Sequence, residues 1–140
     1  MKSEKKRSWA ASALGVVLVC SILLLGLYVV VPRLGGRANA KKMAAGTDVS
    51  IIRVALENFS RDCGRFPTAA EGLQALIVRP SGAADWKGPY LEKGVRCDPW
   101  GNAYVYQCPG EHNKKTFDLC SFGPDGHEGG GDDLDNWNHP

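Results

Sequence analysis

The chain has 140 residues, 23% of them charged, and a formal net charge of +2 at neutral pH. That length holds one small domain and an accessory segment, which excludes a multidomain machine. The small net charge hides a split, because residues 1–65 carry eleven Lys/Arg and four Asp/Glu while residues 66–140 carry six and eleven; the basic residues flank an apolar run instead of forming a face with aromatics, which argues against nucleic-acid binding.

Residues 1–8 are a basic segment with Lys2, Lys5, Lys6 and Arg7. Residues 9–31 then run for 23 positions without a charge, long enough to cross a bilayer as a helix. The apolar region of a cleaved signal is about 7–15 residues and ends at a small-residue cut site. This run is longer and ends at Val31-Pro32-Arg33, so a membrane span is expected over a cleaved signal or a buried core helix. Arg33, Arg37, Lys41 and Lys42 follow it. The positive-inside rule is therefore nearly tied, and the basic foot suits lipid headgroups.

Pro32 and Gly35-Gly36 weaken a helix without forcing it to stop. From Val49 the pattern is helical again. Ile52, Ala55, Leu56, Phe59 and Cys63 fall on one apolar stripe, and Gly64 suits a C-terminal cap. Residues 32–62 are thus expected to continue the long helix, and residues 63–140 to form a globular head. Thr68-Ala69-Ala70-Glu71 reads as a capping box, which predicts a short helix over 69–78. Asp98-Pro99-Trp100-Gly101-Asn102 is a turn signal. Residues 103–108 and 116–121 are short β-prone runs that predict a hairpin with a long connection. From Phe122 the chain is too rich in Gly and Asp to predict regular structure.

Four cysteines, Cys63, Cys97, Cys108 and Cys120, follow the apolar run, and Cys20 lies within it. An even number in so small a domain predicts two disulfides and an oxidising compartment, with the pairing left open. Four buried free thiols are the alternative, and zinc is disfavoured because no Cys-x-x-Cys pair is present. Residues 125–135 hold Asp125, Glu128, Asp132, Asp133 and Asp135 with no Lys or Arg. Such crowded carboxylates either splay in water or gather round a cation. Their all-oxygen chemistry points to calcium before magnesium or zinc. Trp86, Tyr90, Trp100, Tyr104 and Tyr106 are expected in the core of a small domain more than on a sugar-binding platform. Trp137 is expected to close the acidic loop onto the body. His112, His127 and His139 sit in polar loops without a Ser or Cys partner, so no catalytic set is legible and an enzyme is not expected.

Several strings occur together: GRFPTAAEGLQAL (64–76), WKGPYL (86–91), DPWGNAYVY (98–106), CPG (108–110), DLCSFGPDGHEGG (118–130) and DDLDNW (132–137). In their order and spacing, over about residues 49–137, they resemble the major pseudopilins of type II secretion, within the type IV pilin-like superfamily. The resemblance implies an α+β pilin-like fold, with a long N-terminal helix packed on a small antiparallel sheet. It implies a calcium ion in the C-terminal loop, held by the side chains of Asp125, Asp132 and Asp133 and the carbonyls of Phe122 and Gly130. It also implies single-pass anchoring in the inner membrane, with the head in the periplasm. Copies would assemble there with other pseudopilins and an inner-membrane platform into a filament that pushes folded proteins through an outer-membrane channel. The chain departs from the family at the prepilin-type cleavage motif. That motif is absent at Ala10-Ala11, with no Gly before the cut, no Phe after it, and Gly15 where the family has Glu. A buried carboxylate needs a partner in lipid, and in the family that pairing sets the register between subunits. Two roles are therefore expected to compete: a filament subunit, and a membrane-tethered calcium-binding module that does not polymerise.

Overall fold

The computed structural model describes the backbone of residues 2–138 and the side chains of residues 15–25 and 36–138. The element order is a helix α1 (Lys2–Cys63), a short 3-10 helix (Gly72–Leu76), and strands β1 (Val105–Gln107), β2 (Asp118–Ser121) and β3 (Leu134–Asp135). The chain forms two compact units, Met1–Asn39 and Ala40–Pro140. The second unit joins the C-terminal part of α1, from Ala40, to the residues 63–140 expected to form the head.

In the first unit, the expected span at 9–31 lies mostly outside the residues whose side chains are described, as do the basic segment 1–8 and the Ala10-Ala11 position. Among the described residues no helix is long and apolar enough to cross a membrane. Within residues 15–25 the apolar side chains, Val16 to Val19 and Ile22 to Leu25, are all exposed.

The second unit is organised by the stripe on α1. Ala45, Val49, Ile52, Ala55, Leu56 and Phe59 recur at spacings of three and four, and all are buried, so one face of the helix meets the head. The helix stops where Gly64 adopts φ +72 and its N–H reaches Ser60 O at 2.9 Å. That left-handed conformation, open to glycine, is what ends a helix. Both bonds of the capping box form: Thr68 N–H donates to Glu71 Oε2 at 2.8 Å, and Glu71 N–H donates to Thr68 Oγ1 at 3.2 Å. The Arg65 guanidinium clamps the same carboxylate at 2.7 and 2.8 Å and is the main reason its pKa is held down to about 2. The helix expected over 69–78 is shorter and tighter than the sequence suggests. Gly72 has φ +58, which breaks an α-helix there and leaves a 3-10 turn that buries Leu73 and Leu76.

Tyr104 is in the core and Trp86, Tyr90 and Tyr106 pack against it, with their polar tips used internally. Trp86 Nε1–H donates to Ala75 O at 2.9 Å, the Tyr90 hydroxyl to Asp62 at 3.0 Å, the Tyr104 hydroxyl to Asp48 at 3.0 Å and the Tyr106 hydroxyl to Pro67 O at 2.7 Å. Trp100 is half-buried beside the 98–102 turn.

The sheet is antiparallel in the order β1-β2-β3. The hairpin lies within the two runs expected, though each strand is shorter. Strand β3 lies in the tail where no regular structure was expected. The expected disulfides are corrected: Cys63, Cys97, Cys108 and Cys120, like Cys20, are free thiols. Register explains why the hairpin pair cannot join. Val105 faces Cys120 and Gln107 faces Asp118, so Cys108 stands three residues along from Cys120. At about 3.3 Å per residue that is roughly 10 Å, beyond the ~7 Å limit for a bridge. Burial, the largest influence, raises the thiol of Cys63 and pushes that of Cys120 up to about 12.

Candidate functional site

The acidic residues occupy the connection between β2 and β3. Ser121 pairs with Leu134 and Cys120 with Asp135, so residues 122–133 leave and re-enter the sheet at adjacent points and form a closed loop. Two glycines let the loop fold in on its carboxylates. A Cβ on Gly130 (φ +78) would meet Asp132 Oδ1 at 2.8 Å and Asp125 Oδ2 at 3.2 Å. A Cβ on Gly123 (φ +70) would meet Asp132 O at 2.7 Å and Asp132 Oδ2 at 2.9 Å. Asp125 and Asp132, seven positions apart in one loop, are thereby brought against the same small space beside Gly130.

Asp133 contributes a different signal. Its Oδ2 accepts from Gly129 N–H at 2.8 Å, while its Oδ1 is buried without a hydrogen-bond partner. A buried oxygen left unpaired is costly and calls for a counterpart. Among the described residues no three His, Cys, Asp or Glu side chains form a metal-holding group by themselves. Asp125, Asp132 and Asp133 thus do not converge as one group of three, and the expected set adds the carbonyls of Phe122 and Gly130 to them. Phe122 is half-buried at the start of the loop and Gly130 is exposed. These donors are hard oxygens throughout, the type calcium takes.

The remaining acidic residues do other things. Glu128 is exposed. Asp135 is buried and accepts from Trp137 N–H at 3.1 Å, Asn138 N–H at 2.6 Å and Asn138 Nδ2 at 2.6 Å, so it shapes the turn after β3. Asp125 Oδ1 accepts from His127 N–H at 3.0 Å.

Sequence reasoning missed Asp98, which read only as part of a turn. Its Oδ1 accepts from the N–H groups of Trp100 and Asn102 at 3.0 and 2.8 Å, and its Oδ2 accepts from the Ser121 hydroxyl at 2.6 Å. Asn102 Nδ2 then donates to Gly123 O at 2.9 Å. The 98–102 turn thus fastens the point where the acidic loop leaves β2. Burial alone would raise the Asp98 carboxyl; donation from Ser121 and from the Asn102, Trp100 and Gly101 backbone outweighs it and holds it below the usual carboxylate range. A group depressed in the folded state stabilises above its unfolded pKa, about 3.9 for Asp, and that stability is lost as pH falls through the folded value. The Asp98→Asn variant is accordingly expected to be less stable at neutral pH and to lose stability less steeply in acid. Urea midpoints from pH 7 down to pH 3 check this, and parallel curves for variant and parent would refute it.

The same region is shared with known proteins. The sequence model of the family described as type II secretion system (T2SS), protein G, matches residues 33–137. The chain is 37% identical over 139 residues to the type II secretion system core protein G of Escherichia coli (strain K12), covering 96% of this chain and 93% of that protein. It is 35% identical over 144 residues to the core protein G of Pseudomonas aeruginosa, covering 97% and 99%. Its fold is similar to the crystal structure of the major pseudopilin from the type 2 secretion system of enterohaemorrhagic Escherichia coli, with a TM-score of 0.59 and 29% identity over 75% of this chain and 89% of that one.

Proposed function

The chain belongs to the family of type II secretion system protein G, and from that premise we propose that it is a structural subunit of the type II secretion pseudopilus, assembling with copies of itself and with other pseudopilins. The observation that carries this reading is the match along residues 33–137, which takes in the entire acidic loop and its sheet. In this reading the apolar run 9–31 anchors the chain in the inner membrane and the head faces the periplasm. The filament contacts the secretion platform and helps push folded proteins through the outer membrane. What supports the anchor is a run of 23 uncharged residues.

The acidic loop is read as a calcium site. Asp125, Asp132 and Asp133 would supply side-chain oxygens, and Phe122 and Gly130 would supply carbonyls. The unpaired Asp133 Oδ1 and the two carboxylates meeting at Gly130 support this. Calcium would neutralise the loop's charge and tie its two ends to one centre.

A second reading rests on one sequence observation, the missing cleavage motif at Ala10-Ala11 with Gly15 in place of the family's Glu. It makes the chain a membrane-tethered periplasmic module that does not polymerise. Crosslinking in native membranes separates the two. A filament subunit is expected to give a ladder of multimers from the full chain, while the part from Ala40 onward stays monomeric. A single band from the full chain beside a working secretion system, together with an N-terminus intact at Met1 or Lys2, would establish the tether instead.

A further inference from the structure

A pair of rings lies at the edge of the acidic loop. The imidazole of His112 and the indole of Trp137 are stacked, with centroids 4.2 Å apart and planes within 2° of parallel. Neither position is accidental. His112 belongs to the β1–β2 connection, and the buried Asp118 of β2 fixes it: Asp118 Oδ2 accepts from His112 N–H at 2.8 Å and lies 3.1 Å from His112 Nδ1, while Oδ1 accepts from Asn113 N–H at 2.9 Å. Gly110 has to be glycine for that carboxylate to fit, because a Cβ there would collide with it. Trp137 follows β3 by two residues. Its neighbour Asn136 is locked to β2, accepting from Leu119 N–H at 2.9 Å and donating to Phe117 O at 3.0 Å.

The stack therefore joins the β1–β2 connection to the segment that returns from the acidic loop. It borders the loop directly: His112, Asp118 and Trp137 line a shallow cavity of about 130 Å³ together with Phe122 and Glu128. Among the described residues, the stack is the last link between the returning segment and the β1–β2 connection.

We propose that His112 and Trp137 form a clasp that holds the acidic loop closed and so sets its affinity for a cation, with His112 acting as a positioning residue and Asp118 orienting it. The affinity part rests on the calcium reading above. Opening the clasp leaves the two-residue β3 held only by its own pairing and by Asn136, so the loop opens more often. A loop that must close before it can bind gives up affinity in proportion to the fraction of time it is open. An aromatic stack of this kind corresponds to a change of about tenfold or less in that balance.

The test uses the full chain in detergent, titrated with calcium alone by calorimetry at a temperature where every variant is folded. His112→Ala and Trp137→Leu are each expected to weaken calcium binding by about fivefold to tenfold. The pair together should be no weaker than either alone, because the clasp is lost once. His112→Phe, which keeps a flat ring over Trp137, should recover most of the affinity. A purely structural role would lower melting temperatures without moving the dissociation constant. An unchanged constant in His112→Ala, or losses that add in the double variant, overturns the proposal. A parent protein that binds no calcium defeats the calcium reading alone. The clasp is then judged in chelator by the rate of proteolysis within 122–133: equally faster cutting in both single variants and the pair upholds it, and cutting at the parent rate overturns it.

Discussion

Asp132→Ala is expected to abolish the calcium dependence of the head's melting temperature. Asp132 lies at the centre of the loop, with one carboxylate oxygen against Gly130 and the other, with its backbone carbonyl, against Gly123. Removing it takes away the group that brings the two sides of the loop to a common point. The unfolded chain has no such site, so an ion bound only to the native state adds RT ln(1 + [L]/Kd), about 2.7 kcal/mol at a hundredfold excess over Kd. For a domain of this size 1 kcal/mol corresponds to about 4–8 °C. The parent should therefore melt on the order of 10–20 °C higher in calcium than in chelator. Asp132→Ala, and Asp133→Ala with it, should melt at one temperature in both. Glu128→Ala should keep most of the shift, since Glu128 is exposed and outside the proposed ligand set. Coincident melting curves for the parent, with and without calcium, would remove calcium from this account.

Phe59→Ala should cost the head more than any surface change. Phe59 is fully buried at the C-terminal end of the buried α1 stripe. Its ring meets the edge of Tyr90 at 5.8 Å and lies under the Arg65 guanidinium, also at 5.8 Å. Deleting a buried ring typically costs about 3–5 kcal/mol, because the transfer energy is lost and a cavity remains. A domain whose total stability is on the order of 5–15 kcal/mol then sits near its limit. The expected drop in melting temperature is more than about 12 °C. Ile51→Ala is the control: Ile51 stands on the other side of the same helix with 51% of its surface exposed, and it should change stability by less than about 0.5 kcal/mol. Equal losses from the two would mean that α1 does not dock through the stripe.

What could be read from the sequence was whatever repeats locally. The α1 stripe has a period, and Phe59 and Leu56 were found by it. The capping box is a four-residue pattern, and both of its bonds form. The hairpin announced itself as two β-prone runs. The short helix was misjudged because one residue, Gly72, takes a left-handed conformation that no periodicity reports. Strand β3 has two residues, too few to show alternation, and its attachment depends on Asn136 reaching Leu119 and Phe117 across the chain. Asp98 was legible as a turn former through its nearby N–H partners; its bond to Ser121 spans 23 positions and leaves no local trace. Counting cysteines misled, because an even number says nothing of register, and register keeps Cys108 and Cys120 apart. In the acidic loop, composition supplied the oxygens, and the resemblance supplied which of them to choose. Only the structure shows Asp125 and Asp132 meeting at Gly130 while Asp133 is left with an unpaired oxygen.

The shortness of β3 has a consequence for how copies of this chain coexist. Strand β2 is buried along its whole length, between β1 on one side and the two residues of β3 on the other. When the terminal segment peels away, β2 becomes a free margin, with unpaired amide and carbonyl groups at Leu119 and Ser121. A bare margin of that kind recruits whatever extended chain is nearest. Where copies of the chain are crowded, the nearest such segment is the peeled end of an adjacent copy, and the exchange would yield entangled pairs. The closed loop thus guards the sheet against its own neighbours.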